Sequence, residues 1–148
     1  VLATFTGGVK NLFGAIPGIA KAEYHMKMPR IQDFSEALVD ICQYVKPTIT
    51  IMDGIVGMEG EGPSGGDPRK IGVILASKSP YALDAVACKI INLKPKSVPT
   101  VKRSIERNLI SEDLSDIKIV GCNIEDKIVK DFKVPKTKEN SSLDDKIP

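Results

Sequence analysis

Apolar residues in this chain recur with two different periods, and the switching between them predicts strands and helices in alternation. The β-branched run Thr48-Ile-Thr-Ile-Met52 reads as a strand, and Lys70-Ile-Gly-Val-Ile-Leu-Ala76 as a second, buried one. Phe34, Leu38, Ile41 and Val45 repeat at helical spacing. They predict a helix over 33–45 with Asp33 as N-cap and Glu36 at N3, stopped by Lys46-Pro47. Ser79-Pro80 has the form of a helix start, Ser as N-cap and Pro in the first turn, and Leu83, Val86, Ala87 and Ile90 carry the helix to near Asn92. Val101, Ile105 and Leu109 share one face of a helix over 100–109, residues 111–115 form a single turn, and 116–121 make a last strand.

The N-terminal part is less regular. Residues 1–6 read as a strand, and 7–28, punctuated by Gly7-Gly8, Gly14 and Pro17-Gly18, as a loop with at most a short helix. The alternation implies an α/β fold with helices packed on a mixed central sheet. No helix separates the strands at 48–52 and 70–76, so they are either antiparallel neighbours or partners joined by an elaborate loop. The expected organisation is one domain over 1–126, with a lysine-rich polar tail over 127–148, extended or disordered. The apolar start at Val1, with no Met, suggests a fragment of a larger domain.

Between the two strands lies the densest chemistry, Asp53-Gly-Ile-Val-Gly-Met-Glu-Gly-Glu-Gly-Pro-Ser-Gly-Gly-Asp67, with six glycines in fifteen residues. Glycines clustered after a strand mark a backbone that turns sharply or approaches something closely, and such loops are where α/β proteins place function. The structural alternative is a long surface loop. No Gly-Lys-Ser/Thr follows, the glycine order differs from a dinucleotide fingerprint, and the alternating ligands of a calcium loop are missing. Asp53 at the strand end either ligates a cation, orients a substrate hydroxyl or caps the loop's own amides. Glu59 and Glu61 point the same way only if the loop is extended, and would then attract a divalent cation or raise one another's pKa. Asp53 and Glu59 are the metal-ligand candidates.

Composition narrows the class. The 42% hydrophobic and 27% charged content is that of a globular domain, and with 5% aromatics and no Trp the core rests on aliphatic residues. A net charge of +2 argues against nucleic acid as a partner. No apolar run reaches membrane-spanning length and no signal peptide is evident, which predicts a cytoplasmic protein without membrane contact. Cys42, Cys88 and Cys122 are widely spaced, so neither a structural zinc nor an iron–sulfur cluster can be built from this chain's thiols alone. His25, the only histidine, is a candidate general base or a surface residue; Lys10 and Asn11 lie upstream in the other glycine-bounded stretch. Asp84, on the first turn of its helix, is explained by that helix's dipole or by a buried polar role.

Taken in order, Lys10-Asn-Leu-Phe-Gly14, Lys21-Ala-Glu-Tyr-His25, Asp53-Gly-Ile-Val-Gly-Met-Glu-Gly-Glu-Gly-Pro63 and Ala82-Leu-Asp-Ala-Val86 resemble the uncharacterised family known as domain of unknown function 362. The resemblance covers about residues 4–125. It implies a bacterial or archaeal protein, often of an anaerobe, whose family members frequently carry a ferredoxin-like segment with two four-iron four-sulfur clusters. That segment and its cysteines have no counterpart in this chain, so any cluster belongs to a longer protein or a partner. Lys10, Asn11, His25, Asp53, Glu59, Gly60, Gly62, Pro63 and Asp84 match the family's patterned positions and imply the lining of one pocket. Two functions compete. In one the chain is the ligand- or substrate-binding part of a redox-linked protein, with His25 and Lys10 as acid/base or anion-anchoring groups and Asn11, Asp53, Glu59, Glu61, Gly60, Gly62 and Asp84 binding substrate or ion. In the other it is a non-catalytic scaffold that docks a ferredoxin-like domain or another electron-transfer partner.

Overall fold

The computed structural model describes residues 4–62 and 64–134. The chain runs α1 (Gly8–Asn11), α2 (Gly18–Lys27), α3 (Ile31–Val45), β1 (Thr50–Glu59), β2 (Asp67–Ser77), α4 (Pro80–Ile90) and α5 (Pro99–Glu106), with short 3-10 turns between and after them. Helices pack on a sheet, the α/β arrangement expected from the alternating periods. Among the described residues that sheet is a single antiparallel pair, β1 with β2.

α4 is the axis of the fold. Ser79 caps it as its sequence predicts, its Oγ accepting the Ala82 amide at 3.2 Å with Pro80 behind it. One side of α4 packs with Val98 and Val101 of the α5 region, and another carries Val86 and Ile90 against Val73 of β2. A separate cluster joins Val9 of α1 to Phe34, Leu38, Val39 and Cys42 of α3. α3 begins at Ile31, so Asp33 lies inside its first turn and pairs with Arg30 at 2.7 Å instead of capping it. The helix ends in the left-handed Lys46, before Pro47. α3 and α5 are bridged by Arg107, whose guanidinium reaches Asp40 at 2.7 Å and also Glu36.

Three segments differ from the periodic expectation. Within 7–28, α2 is a ten-residue helix, because Ala20, Lys21, Ala22, Glu23, Met26 and Lys27 are good helix formers and Glu23 pairs with Lys27 at 2.6 Å. Residues 116–121 form no strand: Ile117 packs on the cluster of Val73, Val86 and Ile90, but a gap of about 410 Å³ opens between 118–120 and β2, and the segment finds no ladder partner among the described residues. Residues 4–6 of the anticipated first strand are likewise irregular, and 1–3 lie outside the described residues.

β1 also runs further than expected, taking in Asp53–Glu59, so the glycine-rich loop proper is only 60–66. The register shifts by one between Gly54 and Val56, where Gly72 opposite adopts φ +77°. This is a glycine-dependent bulge. Its effect is to change which β1 residues face inward. Met52 and Gly54 are on the covered side before the shift, Gly57 and Glu59 after it. Asp53 and Glu59 share parity and would lie on one face of a regular strand. The bulge leaves Asp53 exposed and turns Glu59 inward, to 4% exposure.

Candidate functional site

The inner face of the hairpin and α4 enclose a cavity of about 390 Å³. Its walls are aliphatic: Ile71, Val73 and Leu75 from β2, Met52 and Met58 from β1, and Ala87, Ile90, Ile91 and Leu93 from α4 and the turn after it. Two remote pieces of chain close it, Thr4–Thr6 at one end of the sequence and Phe132 with Val134 at the other. Gly57, Gly60 and Gly62 border it without side chains. A Cβ on Gly57 would sit 2.8 Å from Ile71 Cδ1, so a side chain here would displace that methyl in the cavity wall.

The closing strap at 129–134 is fastened by polar contacts. The Val129 amide donates to the Ile90 carbonyl at 2.7 Å, Asn92 Nδ2 to the Lys130 carbonyl at 3.2 Å, and Arg69 pairs with Asp131. Glu59 accepts the Lys133 amide at 3.1 Å, and the Gly60 amide donates to the Lys133 carbonyl at 2.7 Å. Glu59 therefore holds the strap. The positive φ of Gly60 (+81°) directs the chain away from the ladder at that point. Beyond residue 134 the polar tail lies outside the described residues.

The N-terminal closure is held by Asp84. Its Oδ1 accepts the Gly8 amide at 2.6 Å and its Oδ2 the Val9 amide at 3.0 Å. The carboxylate thus caps α1, a different helix from the one that carries it. Burial pushes its pKa up to about 6, against the lowering effect of the two amides. A Cβ on Gly7 would collide with this carboxylate and with the Phe5 ring, and one on Gly8 would meet Thr50 Cγ2 at 2.7 Å, which explains the glycine pair. From α1, Lys10 Nζ donates to Thr6 Oγ1 at 2.8 Å, and Thr6 lines the cavity. Burial lowers the Lys10 pKa.

The expected site residues thus divide. Asp53, Gly60 and Gly62 line the cavity, Lys10 reaches it through Thr6, and Glu59 and Asp84 fasten its two closures. Asp53 also accepts the Ile55 amide at 2.9 Å, supporting the bulge. Glu61 and Asn11 are exposed and outside the lining. His25 sits elsewhere: its ring is 4.9 Å from that of Phe34 and 5.7 Å from that of Phe13, in an aromatic cluster with Tyr24 beside α3. Pro63 lies outside the described residues. Sequence reasoning missed Thr4, Thr6, Phe132 and Val134. Only the position of Thr6 beside Gly7-Gly8 carried a local signal.

For an iron–sulfur cluster the chain's own thiols do not fit. Cys42 and Cys88 are buried in different core clusters, and Cys122 is exposed. Among the described residues no three His, Cys, Asp or Glu side chains gather as a metal site, and no helix is long and apolar enough to cross a membrane.

Comparison with known proteins gives one family, described as Domain of unknown function (DUF362), matching residues 1–89. A relative named thylakoid-associated protein, from Synechocystis sp., is 37% identical over 133 residues. The match takes in 89% of this chain and 41% of that relative, so the chain spans well under half of its length. No solved structure matches.

Proposed function

The chain belongs to the family described as Domain of unknown function (DUF362), and from that premise we propose that it is a ligand-binding module. The ligand's apolar body would occupy the cavity between the hairpin and α4, with an anionic group at the rim near Lys10. The observation that carries this reading is the half-open, largely apolar cavity of about 390 Å³, with the Thr6–Lys10 pair at its edge. Such a chamber, mostly apolar with a few converging polar groups, is the usual form of a small-molecule site. Lys10 is the anion-anchoring group, a cation whose partial burial strengthens its pull on a negative charge. Gly60 and Gly62 leave the opposite rim open. The redox-linked part of the proposal, an electron-transfer partner carrying four-iron four-sulfur clusters, rests on the family resemblance and concerns the longer protein.

Two fluorescent probes test the site, 8-anilino-1-naphthalenesulfonate and its uncharged analogue N-phenyl-1-naphthylamine. Both should bind the 148-residue chain at one site, and Ala87→Leu, which fills the cavity from α4, should abolish both. Lys10→Met should weaken the sulfonate about tenfold, roughly the 1.4 kcal/mol expected of one charge-assisted contact, and leave the neutral probe unchanged. Undiminished binding of both probes to Ala87→Leu would overturn the assignment.

A further inference from the structure

β2 is paired along one edge only. Among the described residues its ladder is with β1, and its other edge faces the gap of about 410 Å³ towards 118–120. Six consecutive β2 residues, Gly72 to Ser77, border this gap. Side chains of a strand alternate between its two faces, so an unbroken run meets the gap through its backbone edge. The far wall has the same character. Ile117, Lys118, Ile119 and Val120 border it consecutively, and among the described residues the amides of 118–121 donate to no backbone carbonyl.

Ile117 and Ile124 both pack on the cluster of Val73, Val86 and Ile90, so this segment is pinned at its two ends and stands off β2 between them. The floor of the resulting groove is apolar, with Leu83, Val86 and Ile90 of α4. Backbone amides and carbonyls need partners, and two facing edges are satisfied together by one extended chain whose own groups point alternately to either side. Charge adds a further requirement. Lys118 and Lys127 border the groove, and among the described residues neither forms an ion pair; Glu125 is taken by Lys89 at 2.6 Å. A carboxylate on the occupant would answer them. A second copy offers no free strand among the described residues, because its β1 and β2 pair with each other and its 116–121 is pinned in the same way.

We propose that the groove between β2 and 117–120 receives one extended strand of the longer protein, from outside residues 1–148, which joins the sheet as its third strand. The strand is about as long as the six β2 residues it faces, apolar on the side towards α4, and acidic near Lys118 or Lys127. Well over half of the cyanobacterial relative lies outside its match with this chain, so there is ample chain to supply such a segment. A two-stranded sheet is marginal by itself, and main-chain bonding to an open edge is how an extended segment extends one. The ligand cavity shares only Val73, Leu75 and Ile90 with the groove, and the inference does not rest on the ligand-binding reading.

Hydrogen exchange of the 148-residue chain and of the longer protein, read by mass spectrometry over 72–77 and 118–121, tests this. In the 148-residue chain 118–121 and every second amide of 72–77 should exchange at the rate of an open loop. In the longer protein both sets should slow by about a hundredfold or more. Ala82→Trp, whose ring fills the groove from α4, should return both to the fast rate in the longer protein while α3 keeps its protection. Fast exchange of both sets in the wild-type longer protein would overturn the proposal. Slow exchange in the 148-residue chain would also overturn it: independent of concentration, it would mean that 117–120 closes on β2 unaided, and rising with concentration, that a second copy fills the groove. Protection in the longer protein that survives Ala82→Trp would place the added chain outside the groove and refute the insertion.

Discussion

Replacing Asp84 with Asn tests whether burial or hydrogen bonding dominates at the clamp on α1. The carboxylate is 1% exposed and accepts amides at 2.6 Å and 3.0 Å. Those bonds favour the charged form and burial opposes it. Burial wins, and the pKa rises from 3.8 to about 6. Because the folded value lies above the unfolded one, the native state holds a proton that the unfolded chain has already released between these two pH values. Stability therefore falls as pH rises from about 4 to about 6, by about 3 kcal/mol, the free energy equivalent of the separation. This is opposite in sign to ordinary acid denaturation. Asn is neutral throughout and lacks that dependence, but it sets an amino group against one of the two amides, at a cost of about 1–3 kcal/mol. Urea unfolding followed by circular dichroism from about pH 4 to about pH 7 reads the difference. The wild type should be the more stable by about 1–3 kcal/mol at the acid end, and a change of about 3 kcal/mol towards neutrality should close the gap or reverse it in favour of Asn. A gap that stays constant would mean that the amides balance burial, and one that widens with pH that they outweigh it; either would overturn the raised pKa.

Other perturbations reach the remaining contacts. Gly72→Ala forces a side chain into φ +77° at the bulge and should cost about 1–2 kcal/mol in unfolding free energy. Gly14→Ala, with nothing within 4 Å of the added methyl, should cost nothing measurable in the same assay. Glu59→Ala removes the acceptor for the Lys133 amide, so hydrogen exchange at Lys133 and Gly60 should accelerate at least tenfold while α3 amides keep their protection. Equal acceleration across α3 would mean that the strap and the body open together. Under native conditions a thiol reagent should label Cys122 alone, with Cys42 and Cys88 reacting only on unfolding. Burial raises the pKa of both buried thiols, which further slows them.

Much of the fold can be read in local patterns. The helical spacing of Phe34, Leu38, Ile41 and Val45 yields α3, and Ser79-Pro80 starts α4 where it should, because a side-chain cap and a proline act within one turn. The β-branched runs mark both strands, and the absence of a helix between them leaves antiparallel pairing as one of two options, the one observed. The glycine-rich stretch was recognisable as special, but its extent was not. Strand pairing with β2 converts 53–59 from loop to ladder, and no local pattern in β1 encodes a partner on another strand.

Elements whose causes lie within a turn or a strand are therefore legible along the chain, and so are residues whose chemistry is unusual for their place. The tertiary structure decided what those residues do. A one-residue register shift at Gly72 separates Asp53 from Glu59, so a pair that resembles two metal ligands in the sequence becomes a bulge support and a strap anchor. Asp84 reads in the sequence as a first-turn residue stabilising its own helix, yet it lies past the first turn of α4 and caps α1 from 76 residues away. Phe132 and Val134, in a lysine-rich stretch with no periodic signal, become a wall of the cavity. The physical reason is common to all three. A local pattern fixes a residue's own backbone, whereas burial and hydrogen-bond partners depend on contacts that exist only once distant segments meet.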